Sequence, residues 1–116
     1  MSAQAINILT LTVVAAGAIA ANRFVTPAAA QAGADANTLG AARFAAAAAG
    51  EKIAVDVLGT AVVEAGAAVA AGATVKSDAS GRAITWVTSG AKVGLALDAA
   101  TAAGQMIEVL LIPNVA

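Results

Sequence analysis

"EKIAVDVLGTAVVEAGAAVAAGATVKSDASGRAITWV", residues 51–87, decides whether this chain is helical or extended. Alanine is the best helix former, and the stretch is full of it. Glycine breaks it at 59, 66, 72 and 81, and the spacing continues outward to 33, 40, 50, 90, 94 and 104. An interior glycine costs a helix about 1 kcal/mol relative to alanine. Most gaps are 6–10 residues, which leaves few of them room for three helical turns. Short strands fit, with glycine supplying the turn dihedrals. The expected strands are Ile53–Leu58, Thr60–Val63, Thr74–Ser77, Ala83–Val87, Val93–Leu97 and Met106–Ile112. "SDASGR" at 77–82 reads as a turn, with Asp78 capping its own backbone and Gly81 at positive φ. Gly66 and Gly72 mark tight bends, and Pro113 closes the last strand because it cannot donate to a ladder. A short helical turn at Arg43–Ala49 is the one exception. The expected core is Ile53, Val55, Val57, Val62, Val69, Val75, Ile84, Val93, Leu95, Ile107, Val109 and Leu111.

A repeat supports the β reading. "GAARFAAAAAGEKIAVDVL" at 40–58 lies over "GLALDAATAAGQMIEVLLI" at 94–112 with nine of 19 positions identical. About three matches would be expected by chance in so alanine-rich a chain. Two hairpins with similar turn chemistry are the alternative, and both readings keep the β assignment. The fold class is therefore mainly β: one compact sandwich or barrel of short strands with glycine-rich turns, little helix and an extended N-terminal arm. Residues 1–22 form that arm or an edge strand, and residues 23–116 the β domain.

The N-terminal stretch "AINILTLTVVAAGAIAANRF", residues 5–24, contains no charge before Arg23. A secretory signal carries positive charge ahead of its apolar region, and residues 1–22 have none. As a membrane span it is weakened by Gln4, Asn7, Thr10, Thr12 and Asn22, and by its many Ala and Gly residues. From Ile6 to Val14 it is β-branched and alternating, which suits a strand. Residues 3–14 are expected to form an extended interaction arm whose edge pairs with a partner by β-augmentation, ordered only when the partner is present. Completing the domain's own sheet is the alternative.

The chemistry available is narrow. The 116 residues carry a net charge of −1, with 60% hydrophobic and 11% charged residues. Ordinary soluble domains are about 25% charged, so this surface suits a protein packed against neighbours. There is no cysteine and no histidine, which removes thiolate sites, the commonest general base and the commonest metal ligand. The cations are scattered and the aromatics are only Phe24, Phe44 and Trp86, so neither a basic face nor a stacking platform for nucleic acid is apparent. "EAGAAVAAGATVKSDASG" at 64–81 has neither the lysine of a P-loop nor a G-x-G-x-x-G, and no S-x-x-K occurs. Asp56, Glu64, Asp78 and Glu108 are expected to face solvent or a partner. No catalytic residue, metal ligand or cofactor site is expected. A partner surface is expected at Ile6, Ile8, Leu9, Leu11, Val13 and Trp86.

A resemblance emerges from the ordered motifs. They are N-R-F-V at 22–25, L-G-x-A at 39–42, A-A-G-E at 48–51, D-x-x-G at 56–59 and E-A-G-A-A-V-A-A-G-A at 64–73. S-D-A-S-G-R follows at 77–82, then G-x-A-L-D-A-A at 94–100, A-A-G-Q at 102–105 and V-L-L-I-P at 109–113. Over residues 15–114 the chain resembles the capsid cement, or decoration, proteins of tailed bacteriophages, with a departure at Ala41–Phe44. The resemblance implies a small, mostly β, non-enzymatic virion protein on the outside of the capsid. It implies a homotrimer that clamps neighbouring major capsid subunits, with no nucleic acid or membrane partner. A secreted module with a signal cleaved near Ala30 or Ala32, or another virion part such as a tail or head–tail joining protein, are the alternatives.

Overall fold

The computed structural model describes residues 4–112. Pro113 and residues 1–3 lie outside the described residues. Eight strands follow in order: β1 Asn7–Val14, β2 Phe24–Val25, β3 Gly40–Ala42, β4 Lys52–Glu64, β5 Thr74–Ser77, β6 Ala83–Thr85, β7 Gly94–Ala96 and β8 Met106–Leu111. They form one nearly closed, barrel-shaped, antiparallel sheet of order β2-β3-β4-β8-β7-β5-β6, with β1 paired to β4. The mainly β fold expected from the glycine spacing is present, and no helix occurs among the described residues.

The centre of the sheet is β4. The sequence reading divides it at Gly59 into two strands; the structure keeps one strand of 13 residues. Gly59 has φ +96°, and a Cβ there would collide with the Ile6 carbonyl, so glycine lets β1 cross closely instead of breaking the strand. Because the strand is unbroken, its two-residue period runs through. Ile53, Val55, Ala61, Val63 and Ala65 are all buried. Val63 therefore takes the core position expected of Val62, which is only half-buried.

Eight of the twelve expected core residues are buried: Ile53, Val55, Val69, Val75, Val93, Ile107, Val109 and Leu111. Val57, Ile84 and Leu95 are half-buried like Val62. The core falls into two clusters. One contains Ile19, Val25, Ile53 and Val55; the other contains Phe24, Val63, Val69, Val75, Val93, Ile107 and Val109. Residues Arg43–Ala49 form bends and a bridge from Ala46 to Ile19, not a helical turn. Ala46 is buried there, so packing against Ile19 overrides alanine's helical preference.

The turn at Ser77–Arg82 forms as its residues dictate. Asp78 Oδ1 accepts from the Ser80 and Arg82 N–H groups at 2.8 and 2.9 Å, and Gly81 has φ +77°. Gly72 also takes positive φ, whereas Gly66 leaves room for the Asp78 carboxylate and Ile84.

Candidate binding surface

Residues 7–14, expected as an arm that orders on a partner, instead complete the domain's own sheet. β1 pairs with β4 from Asn7↔Gly59 to Val14↔Lys52. Its other edge is open. The Arg43 N–H donates to the Ala54 carbonyl, so the even positions of the first half of β4 point toward β3. Thr12, opposite Ala54, is then a non-hydrogen-bonded pair, and its own N–H and C=O point away from β4. Thr10 and Val14 point the same way. No backbone partner meets these groups among the described residues.

Side chains along this edge are apolar and exposed. Ile8 is 79% exposed and Ile6 58%, with Leu9 and Leu11 near 40%. Register shifts on both sides of Leu9 place Ile8 at a bulge without a strand partner, which turns it outward. Leu58, opposite Leu9, extends the apolar surface onto β4. Val13 differs: it packs against the cluster containing Ile53 and Val55. Trp86 follows β6, and no ladder joins β6 to β1. Its indole N–H donates to the Gly90 carbonyl at 2.9 Å, and Lys92 Nζ sits 4.4 Å from the ring centroid. The structure thus gathers Ile6, Ile8, Leu9 and Leu11 on one edge and sets Trp86 apart. Val87 and Phe44, both well exposed, were not singled out by sequence because isolated apolar residues carry no pattern.

The charged groups are mostly tied to one another. Glu64 pairs with Arg23 and Arg82 at 3.3 and 3.4 Å, and Arg82 also reaches Asp78. Asp56 is buried, contrary to its expected exposure, and is held by Arg43 at 2.7 Å and the Thr10 hydroxyl at 2.9 Å. Glu108 is buried too, on the sheet between Val62 and Leu97. Lys76 hydrogen-bonds the Asp35 carboxylate and lowers its pKa, with Ser89 adding to the effect. A cleft of about 140 Å³ between Ala5, Asn22, Arg43, Asp56 and Val62 is small and holds the Arg43–Asp56 pair. Among the described residues no cluster of three potential metal ligands occurs, and no helix is long and apolar enough to cross a membrane.

An all-β domain with an open apolar edge, most of its charges paired with one another, presents a surface suited to binding. The phage cement protein family matches residues 3–111, nearly the whole chain. The chain belongs to that family, and so is a phage structural protein associated with the outer surface of the virion capsid. Among solved structures, the N base of head fiber gp8.5 in bacteriophage phi29 shares the fold, with a TM-score of 0.72 over 90% of this chain and 93% of that one. The two are 16% identical in sequence. No curated protein sequence matches.

Proposed function

We propose that the chain attaches to assembled heads as a homotrimer and ties neighbouring major capsid subunits together, with the edge of β1 as its contact strand. The observation that carries this is the open edge at Thr10, Thr12 and Val14, flanked by exposed Ile6, Ile8, Leu9 and Leu11. A partner strand laid there gains main-chain hydrogen bonds and covers apolar side chains in one step. The low charge of the molecule permits close packing of copies, and many weak contacts on one lattice add as avidity.

The test uses heads lacking this protein. Thr12→Pro removes one outward N–H and Ile8→Asp places a charge in the apolar row. Both variants should fold as the parent does and bind heads at least tenfold more weakly. Parent-like binding by both variants rules out the β1 edge. A density map of decorated particles showing isolated single copies rules out the trimer.

The likeness to a head-fiber base favours a second reading, in which the chain is the foot of a longer projection. A density map of decorated particles separates the two: a cement subunit ends at the shell surface, whereas the foot of a projection carries further density rising from it.

A further inference from the structure

We propose that the chain is a tandem duplication of one β unit, the first copy running Thr10–Val57 and the second Thr60–Leu111, with β4 passing from one to the other without a linker. The sequence repeat at 40–58 and 94–112 is its second half. Its first half is invisible by identity at that offset, because it follows a different one: 50 residues (Thr10 onto Thr60) rather than 54 (Gly40 onto Gly94).

The ladders correspond pair for pair. In the first copy Thr10↔Asp56, Val13↔Ile53 and Val14↔Lys52 are opposed; in the second, Thr60↔Leu110, Val63↔Ile107 and Glu64↔Met106. Ala41↔Asp56 and Ala42↔Val55 answer to Leu95↔Leu110 and Ala96↔Val109. Phe24↔Ala41 and Val25↔Gly40 answer to Thr74↔Leu95 and Val75↔Gly94. The lone bridges match as well, Ile19↔Ala46 with Val69↔Ala100.

Irregular features match where chance agreement is hardest. Asn22 and Gly72 occupy the same place, with φ of 60° and 86°. Gly50 and Gly104 both have φ 93°. Each of these last two donates its N–H to an alanine carbonyl, Ala15 or Ala65, whose own N–H returns a bond to Glu51 or Gln105. Gly40 lies against the Asp56 carbonyl and Gly94 against that of Leu110, the same contact twice. Similar turn chemistry in two hairpins would not fix the register of three ladders or a left-handed residue outside the repeat.

The cores agree. Val13, Ala15, Val25, Ala42, Ala46, Ile53 and Val55 stand over Val63, Ala65, Val75, Ala96, Ala100, Ile107 and Val109, the same residue type at every position. Ile19, Leu39 and Val57 stand over Val69, Val93 and Leu111, exchanging one aliphatic residue for another. The cluster around Ile107 adds to this shared set Phe24, Ala32, Ala41, Ala61 and, from the longer Lys76–Lys92 connection, Ala83 and Ala91.

Exchange of the three unlike pairs tests the duplication in the intact chain. One variant carries Ile19→Val with Val69→Ile, Leu39→Val with Val93→Leu, and Val57→Leu with Leu111→Val. A control carries Ile19→Val with Val93→Ile and Leu39→Val with Val69→Leu, which crosses non-equivalent sites at the same composition. The equivalent exchange should melt cooperatively within about 5 °C of the parent, and the crossed control markedly lower. Equal Tm values for the two variants overturn the proposal. Should the six-fold variant not fold, the three pairs are exchanged singly: native-like melting of all three upholds the equivalence, and unfolding by any one overturns it. The readout is folding alone, so it stands or falls apart from head binding.

Discussion

Gly40 and Gly94 each lie against a backbone carbonyl of the neighbouring strand, where a Cβ cannot be placed without moving the sheet. Gly40→Ala should cost about 3 kcal/mol or more in urea melts, because the obstacle is backbone and cannot rotate away; Gly94→Ala meets the Val109 side chain before the Leu110 carbonyl and should cost somewhat less. Gly50 and Gly104 are the opposite case, with open space around them and φ of 93°. Alanine there should cost only the left-handed penalty, about 1–2 kcal/mol, and the same at both sites. Arg43→Met leaves the buried Asp56 carboxylate with the Thr10 hydroxyl as its remaining side-chain partner. Arg43 is itself 38% exposed, so the loss is discounted to about 1–3 kcal/mol, read as a lowered midpoint at neutral pH. Asp35 provides the pH dependence. Lys76 holds its folded pKa below the ordinary value, so its contribution is present above the unfolded pKa and fades as pH falls through the folded one. The parent should therefore lose slightly more stability than Asp35→Asn on acidification below the ordinary carboxylate range, and equal acid slopes would contradict the pairing.

At the scale of the element, β1 tests which way a strand faces. Val13 points its N–H at β4, opposite Ile53, whereas Thr12 points its own away from the sheet. Proline is tolerated on the free side of an edge strand and not on the paired side. Thr12→Pro should change stability by less than about 1 kcal/mol, and Val13→Pro should cost at least about 2 kcal/mol. Equal losses would show that β1 is paired on both sides. An exposed strand of this kind invites association unless something covers it or breaks its flatness. Here the bulge at Ile8 interrupts the flat edge.

For the whole molecule, one strand ties the two cores. β4 contributes Ile53 and Val55 to one cluster and Ala61 and Val63 to the other, so neither cluster can open without disturbing it. Unfolding should be a single transition, with Trp86 fluorescence, which reports the second half, coinciding with far-UV circular dichroism, which reports both. A fluorescence midpoint displaced from the dichroism midpoint would mean that the halves unfold separately. The sequence by itself determined the β class, the turn at Ser77–Arg82 and most strand positions after residue 52. These follow from local rules: glycine spacing and β-branched alternation. Its ordered motifs also sufficed to mark the resemblance to phage cement proteins. The short strands at Phe24–Val25 and Gly40–Ala42 were not legible, because two or three residues carry no period. Likewise only the tertiary structure decided that Gly59 continues β4, that Asp56 and Glu108 are buried, and that residues 7–14 join the sheet with one edge left open. Each of those depends on what lies across the sheet. A glycine reads as a break until a crossing strand shows why the space is needed, and an alternating terminus looks the same whether its pairing partner is another protein or its own β4.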